Sequence, residues 1–275
     1  MKKLLSVSAK AVVFFIGWAV LASVVPLPDT EDPAAWRFGA ELMPMLAVVL
    51  FSAIFYFAEK RDITIVPLEK PLKNALLGIV LGAVWTGVSF IIVYLWGAAS
   101  VSGMNHVSRL WLWVISCFVN VVMQELLVRG YLYQMIKKNY STAAAAAVTS
   151  VLFLLCHGGA LEAGIIPILN ILTMSVFMTL ALEYTDSFIM PVMLHFVWNC
   201  AGSIVLGAVS LADDYPKLLN ISFGGSNIVS GGSCKLEGSI VVLAANIIFI
   251  AVFAFLLYKK HRSVGNKPEK ARNGA

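Results

Sequence analysis

Charged residues are scarce in this chain. Asp, Glu, Lys and Arg make up 13% of its 275 residues, whereas hydrophobic residues make up 60%. Soluble domains usually carry about 25% charged and roughly 45–50% apolar residues. A globule of this size cannot bury so many apolar side chains, so the composition excludes a soluble protein and predicts lipid as the surrounding solvent.

Cysteine is also scarce, which excludes a disulfide framework: three of the four cysteines lie within apolar runs.

The H-E-x-x-H signature of helical zinc peptidases is absent. His157, His195, Cys156 and Cys200 could in principle bind zinc. Cys156 and His157 are consecutive, however, and consecutive helical residues point about 100° apart. We therefore predict no cofactor and no metal site, with zinc as the minor alternative.

Long apolar runs recur along the chain, and about 20 such residues suffice for a helix to cross a bilayer. They predict an all-α, polytopic transmembrane bundle of about eight spans, at residues 8–26, 40–58, 75–97, 109–134, 143–157, 163–184, 188–207 and 238–258. We predict a single transmembrane domain, residues 1–262, followed by a polar, disordered cytoplasmic tail, residues 263–275.

The net charge of +5 is spread over several loops, so it indicates membrane topology rather than a nucleic-acid partner. Basic residues precede span 1, separate spans 2 and 3, and follow spans 4 and 8, whereas acidic residues cluster in the other loops. Eight crossings and the positive-inside bias both predict that the two termini are cytoplasmic.

One long connection, residues 208–237, contains "FGGSNIVSGGSC", a Gly/Ser-rich composition typical of a mobile loop. The chain shows no internal repeat and no matching Gly/Pro-broken helices in two halves, features that would favour a transporter. Pro167 is the only conspicuous proline within a span.

Polar residues interrupt three of the apolar runs, beginning with "VVMQELLVRGYLY" at 121–133. Each of the three predicted helices carries a pair spaced four apart, which places the pair on one helix face: Glu125 and Arg129, Phe153 and His157, His195 and Asn199. Any one pair could be an ordinary buried ion pair or an interhelical hydrogen bond. Intramembrane ionisable groups are costly, however, and they commonly mark functional sites.

The three pairs lie at matching depth. At 1.5 Å per helical residue, Glu125 lies about 18 Å from the predicted interface, His195 about 14 Å and Asn199 about 20 Å. The midpoint between Glu125 and His157 falls in the turn that joins their two spans. Each pair forms a polar stripe on one face of its helix. We therefore predict that the three stripes converge near the middle of the bilayer.

These stripes resemble the motifs of the CAAX protease and bacteriocin-processing (Abi) family of intramembrane proteases. That family carries E-E-x-x-x-R, F-x-x-x-H and H-x-x-x-N on three transmembrane helices, and here they read "QELLVR" (124–129), "FLLCH" (153–157) and "HFVWN" (195–199). The motif core spans residues 120–205. The resemblance implies a glutamate-dependent endopeptidase that cuts a peptide within the membrane.

The resemblance also implies roles for individual residues. His157 would position or activate water, His195 and Asn199 would form the oxyanion hole, and Arg129 would hold Glu125. Such groups suit the reaction, because water needs a base and the tetrahedral intermediate needs hydrogen-bond donors.

The sequence departs from the family at the position of the catalytic base, which is Gln124. An amide can orient a water but does not accept its proton. Three alternatives follow: Glu125 takes over from about 100° further round the helix, His157 is the base, or hydrolysis has been lost. A non-hydrolytic protein would act in bacteriocin self-immunity or as a membrane-protein scaffold.

The resemblance further implies a peptide or membrane-protein segment as the substrate, reached within the lipid bilayer. The compact chain is similar to bacterial members of the family, so we expect an integral protein of the bacterial plasma membrane.

Overall fold

A computed structural model describes residues 1–265. Most of them are helical. The helices are α1 (Lys2–Val24), α2 (Pro33–Ala58), α3 (Pro71–Leu95), α4 (Leu110–Arg129), α5 (Tyr131–Asn139), α6 (Thr142–Cys156), α7 (Gly158–Ala163), α8 (Ile165–Thr185), α9 (Ile189–Asn199), α10 (Asn227–Ser230) and α11 (Ile240–Gly265). A π-helix (Cys200–Val205) continues α9, and a 3₁₀ helix (Gly232–Gly238) precedes α11.

Six helical segments among the described residues are long and apolar enough to cross a membrane. Two further apolar segments are shorter, Thr142–Cys156 and Ile189–Val205. The predicted class, a helical integral membrane protein, is confirmed. The count of eight crossings and the cytoplasmic termini stay predictions, and most of the predicted tail, residues 266–275, lies outside the described part of the chain.

A small antiparallel sheet, which the sequence did not predict, joins two connections between spans. Strand β1 (Ala99–Met104) pairs with β2 (Leu219–Phe223), with Ala99 opposite Phe223 and Met104 opposite Leu219. The pairing joins the connection between α3 and α4 to the Gly/Ser-rich segment, so part of this otherwise helical chain is β-structure.

Ion pairs collect at two ends of the bundle. At one end Lys10 pairs with Glu59, Lys137 with Glu183 and Lys260 with Asp186, each at 2.5 Å. At the other end Arg37 pairs with Asp214 and Arg109 with Asp32. The first end contains most of the basic residues that the positive-inside bias places in the cytoplasm.

Close packing of α3 against α9 fixes the position of the third motif. A Cβ on Gly78 would come within 2.8 Å of Met193, and one on Gly82 within 2.8 Å of Val197. Small residues of this kind allow the backbones of membrane helices to approach closely. Trp85 stacks on Trp198 at 4.0 Å in the same interface. His195 is thereby turned towards α4 rather than towards α3.

The predicted single span at 109–134 is broken at Gly130, where α4 ends and α5 begins. A Cβ at Gly130 would lie 2.3 Å from the Leu126 carbonyl oxygen, so the break needs a glycine. The break comes immediately after Arg129, which therefore lies in the last turn of α4.

Residues 206–239, here called the cap, fold back over one end of the bundle. The cap contains β2, α10 and the 3₁₀ helix, and Lys235 Nζ donates to the Gly207 carbonyl at 2.6 Å. Gly231 has a φ of +79°, and a Cβ there would lie 1.6 Å from the Lys235 carbonyl oxygen. The glycine content that was read as typical of a mobile loop therefore serves at least one tight turn.

Candidate active site

Glu125 and Arg129 form a fully buried ion pair in the last turns of α4. Their exposed fractions are 0% and 1%, and Arg129 Nη1 lies 2.9 and 2.8 Å from the two carboxylate oxygens of Glu125. Arg129 Nη2 donates to Ser175 of α8, at 2.8 Å to the carbonyl oxygen and 3.1 Å to Oγ. Ser150 of α6 donates to the same hydroxyl. The guanidinium thus connects three helices and holds Glu125 in one orientation.

His195 is the third partner of this ion pair. Its Nδ1 lies 2.8 Å from Glu125 Oε1, and the ring is 1% exposed. A carboxylate held by arginine only accepts hydrogen bonds, so we assign the proton to Nδ1. The Nε2 edge of His195 is then the one left for other chemistry. Glu125 accordingly has protein partners at both oxygens and orients an imidazole.

His157 lies at the C-terminal end of α6, where the helix stops. Its Nδ1 is 2.7 Å from the Phe153 carbonyl oxygen. A carbonyl only accepts, so Nδ1 carries the proton and Nε2 of the neutral ring keeps its lone pair. The second motif thus fixes the tautomer of its own histidine through the residue four positions earlier.

The Phe153 ring packs against the other motif residues. Its centroid lies 4.4 Å from the ring of His157 and 5.8 Å from that of His195, and the Arg129 guanidinium carbon is 5.5 Å from it. An aromatic face attracts a guanidinium and packs edge-to-face with other rings. Phe153 therefore sets the spacing between the two imidazoles.

Gln124 belongs to a different polar network. Its Nε2 donates to Asn120 Oδ1 at 2.7 Å, and Asn120 Nδ2 donates to Glu41 Oε2 of α2 at 2.7 Å. Because the Glu41 carboxylate is an acceptor, it fixes the Asn120 amide and, through it, the Gln124 amide. Gln124 Oε1 is buried and accepts no hydrogen bond from the described residues.

A cavity of about 260 Å³ lies where these residues meet. Four of the six predicted site residues line it: Gln124, His157, His195 and Asn199. Glu125 and Arg129 do not line it and lie behind His195. The fold thus brings residues from all three polar stripes to one cavity, as predicted. The roles of the residues stay predictions. At about 30 Å³ per water, the cavity has room for roughly eight waters or a short peptide segment.

A second cavity of about 350 Å³ adjoins the first. The two share lining from α6, α8 and the cap, including His157, Ile171 and Ser210. Pro167 lines the second cavity near the start of α8. It is not the only intraspan proline, because Pro44 lies inside α2. The two cavities thus lie side by side between α6, α8 and the cap.

Sequence reasoning missed several residues of this site. Asn120 is four positions before Gln124 on the same helix face, a signal that was available. Ser175 carried no signal, because a serine in an apolar helix is common. Glu237 and Ser210 come from the cap and line the first cavity. No spacing rule relates them to the three motifs.

No group of three His, Cys, Asp or Glu side chains within residues 1–265 is placed to hold a metal ion. Cys156 is exposed and Cys200 is half-buried. The absence of a metal cofactor stays a prediction, and the effect of a chelator on activity tests it.

Comparison with known proteins agrees with the motifs. Residues 106–201 match the family model described as type II CAAX prenyl endopeptidase, Rce1-like. The matched segment contains all six predicted site residues and ends before the cap. Searches of curated proteins and of solved structures found no match. The resemblance drawn from the three motifs is confirmed by this match, which covers about a third of the chain.

Proposed function

We propose that the chain is an intramembrane endopeptidase that hydrolyses a peptide bond in the cavity at the end of α6. The observation that carries this proposal is the convergence on one cavity of two imidazoles with assigned tautomers and the side chains of Asn199 and Gln124. A base and oxyanion donors in one enclosed space are the requirements of peptide hydrolysis.

His157 is the base in this proposal. Its Nε2 lone pair accepts a hydrogen bond from the attacking water, and Gln124 Oε1 accepts the other. The network from Glu41 through Asn120 engages the amide NH₂ of Gln124, so its carbonyl oxygen is left without a partner among the described residues and can accept from a water. Gln124 then orients the water without taking its proton, which reconciles an amide at this position with catalysis.

His195 and Asn199 stabilise the oxyanion. Asn199 follows His195 by one helical turn and is 5% exposed. Donation from His195 Nε2 requires a second ring proton, and the Glu125 carboxylate balances the charge that this proton brings. Glu125 is therefore a positioning residue in this mechanism and not the base.

The bonds change in two steps. The water oxygen bonds to the peptide carbonyl carbon, its proton passes to His157 Nε2, and the carbonyl electrons move onto oxygen. The carbonyl then re-forms, the C–N bond breaks, and the leaving nitrogen takes up a proton. The products are a carboxylic acid and an amine, with no cofactor in the balance.

The substrate is proposed to be a peptide or a membrane-protein segment that enters from the bilayer through the adjoining 350 Å³ recess. We propose the bacterial plasma membrane as its location, from the likeness to bacterial members of the family. The charge distribution supports both termini being cytoplasmic. Nucleic acid has no part in this proposal.

Cleavage of a fluorogenic membrane-peptide library by the purified protein tests the proposal, with and without chelator. We expect cleavage that His157→Ala lowers by about 10²–10⁴-fold and Asn199→Ala by about 10²–10³-fold. Chelator should leave the rate unchanged. Wild-type rates equal to those of His157→Ala would contradict the proposal.

A second candidate is a non-hydrolytic binding protein, for bacteriocin self-immunity or as a scaffold. The observation that favours it is the amide at the family's base position. In that case no peptide of the library would be cut by the wild type, and a peptide segment would bind with the same affinity to wild type and His157→Ala.

A further inference from the structure

One carboxyl group of the cavity lies outside the three motifs. Glu237 comes from the 3₁₀ helix of the cap and lines both the 260 Å³ cavity and the adjoining recess, as His157 does. It lies beyond the segment matched by the family model, residues 106–201. Its position thus follows from the fold of the cap, and no family motif assigns it a role.

The cap holds Glu237 firmly in place. Its backbone carbonyl accepts from Asn170 Nδ2 of α8 at 2.8 Å, and its Oε2 accepts from the backbone N–H of Ser210 at 2.9 Å. Oε1 makes no hydrogen bond to the described residues. One carboxyl oxygen is therefore anchored and the other is free for the cavity.

Glu237 also forms no salt bridge within the described part of the chain, in contrast to Glu125. The nearest ammonium along its own helix, Lys235 Nζ, donates to the Gly207 carbonyl. Removal of a carboxyl from water without a compensating charge favours its neutral form. In that form Oε2 still accepts from Ser210, and Oε1 carries a proton that it can donate.

We propose that Glu237 is the general acid of the endopeptidase and protonates the leaving amine. This inference rests on the proposed function. His157 takes the proton of the attacking water, and Glu237 Oε1–H gives its proton to the peptide nitrogen as the C–N bond breaks. The proton on His157 then returns to Glu237 through water, so both groups are reset.

The leaving group supplies a test that a structural role would not pass. An amine must be protonated to leave, whereas a nitrophenolate leaves without a proton. The experiment compares Glu237→Gln with the wild type, both purified in detergent, on a membrane peptide and on a nitrophenyl ester of the same acyl segment. Glutamine keeps the acceptor for Ser210 and removes the acidic proton.

We expect Glu237→Gln to lower peptide cleavage by about 10²–10³-fold and ester cleavage by less than about threefold. Glu162→Gln, the same change at an exposed residue of α7 that lines neither cavity, should alter neither rate. The thermal unfolding midpoints of both variants, recorded beside the wild type, establish that they are folded.

Equal losses on both substrates, or no loss on either, would overturn the assignment of Glu237. Failure of the proposed function is a separate result: the wild type would cleave neither substrate faster than His157→Ala. Ester cleavage that depends on His157, with peptide cleavage unaffected by Glu237→Gln, would keep the peptidase and reject only its general acid.

Discussion

Two glutamates near one cavity have opposite surroundings. Glu125 is 0% exposed and contacts Arg129 and His195, so both of its oxygens have protein partners. Glu237 has one anchored oxygen, one free oxygen and no salt bridge to the described residues. A saturated carboxylate fixes geometry, whereas one with a free oxygen can exchange a proton. The comparison shows why the carboxylate inside the motif is the less available for acid–base chemistry.

Removal of the Glu125 carboxylate, whose two oxygens both have protein partners, should have the largest effect on stability. Glu125→Ala leaves the Arg129 guanidinium buried without a counter-charge, which we expect to destabilise the protein by about 3–5 kcal/mol. His195 also loses the partner of its Nδ1. The free energy of unfolding, measured by denaturant titration in detergent, checks the value.

The matched control for that experiment is Glu125→Ala combined with Arg129→Met, which removes both charges. We expect the double variant to be more stable than Glu125→Ala alone, because no buried charge is left unpaired. Additive losses would mean that the pair is not the source of the stability.

Displacing the cap should have the next largest effect. Gly231→Ala puts a Cβ 1.6 Å from the Lys235 carbonyl oxygen at a φ of +79°, so the turn before Glu237 must move. We expect a loss of about 2–3 kcal/mol in stability and a fall in peptide cleavage larger than in nitrophenyl ester cleavage.

Gly224→Ala is the control in the same Gly/Ser-rich segment, since a Cβ there would meet nothing within 4 Å. Its stability and both rates should match those of the wild type. Equal effects at Gly231 and Gly224 would show that glycine supplies flexibility to the cap rather than a required turn.

The smallest expected effect concerns the amide network that orients Gln124. Gln124→Glu turns a carboxylate oxygen towards Asn120 Oδ1, and we expect it to cost about 1–3 kcal/mol of stability. Glu41→Gln should recover part of that loss, because the Asn120 amide can then flip and donate to position 124. A double-mutant cycle in unfolding free energy measures this coupling, expected at about 0.5–3 kcal/mol. A coupling energy of zero would show that Glu41 does not act on Gln124 through Asn120.

Much of the fold follows from local pattern. Long apolar runs predicted the helical segments, because each spanning helix must satisfy its backbone internally and face lipid. Spacings of four predicted that Glu125 and Arg129 share a face, and their hydrogen bonds agree. The break at Gly130 and the pairing of β1 with β2 were not predicted, because both depend on contacts from elsewhere in the chain.

The sequence by itself determined that this is a helical membrane protein with three polar stripes, since composition and periodicity are local properties. Only the tertiary structure decided which group each polar atom meets. It paired Glu125 with His195, connected Gln124 to Glu41 through Asn120, and brought Glu237 of the cap to the cavity that His157 also lines. Residues 70 to 83 positions apart have no periodic relation, so close packing and hydrogen bonding of whole helices determined which of them meet.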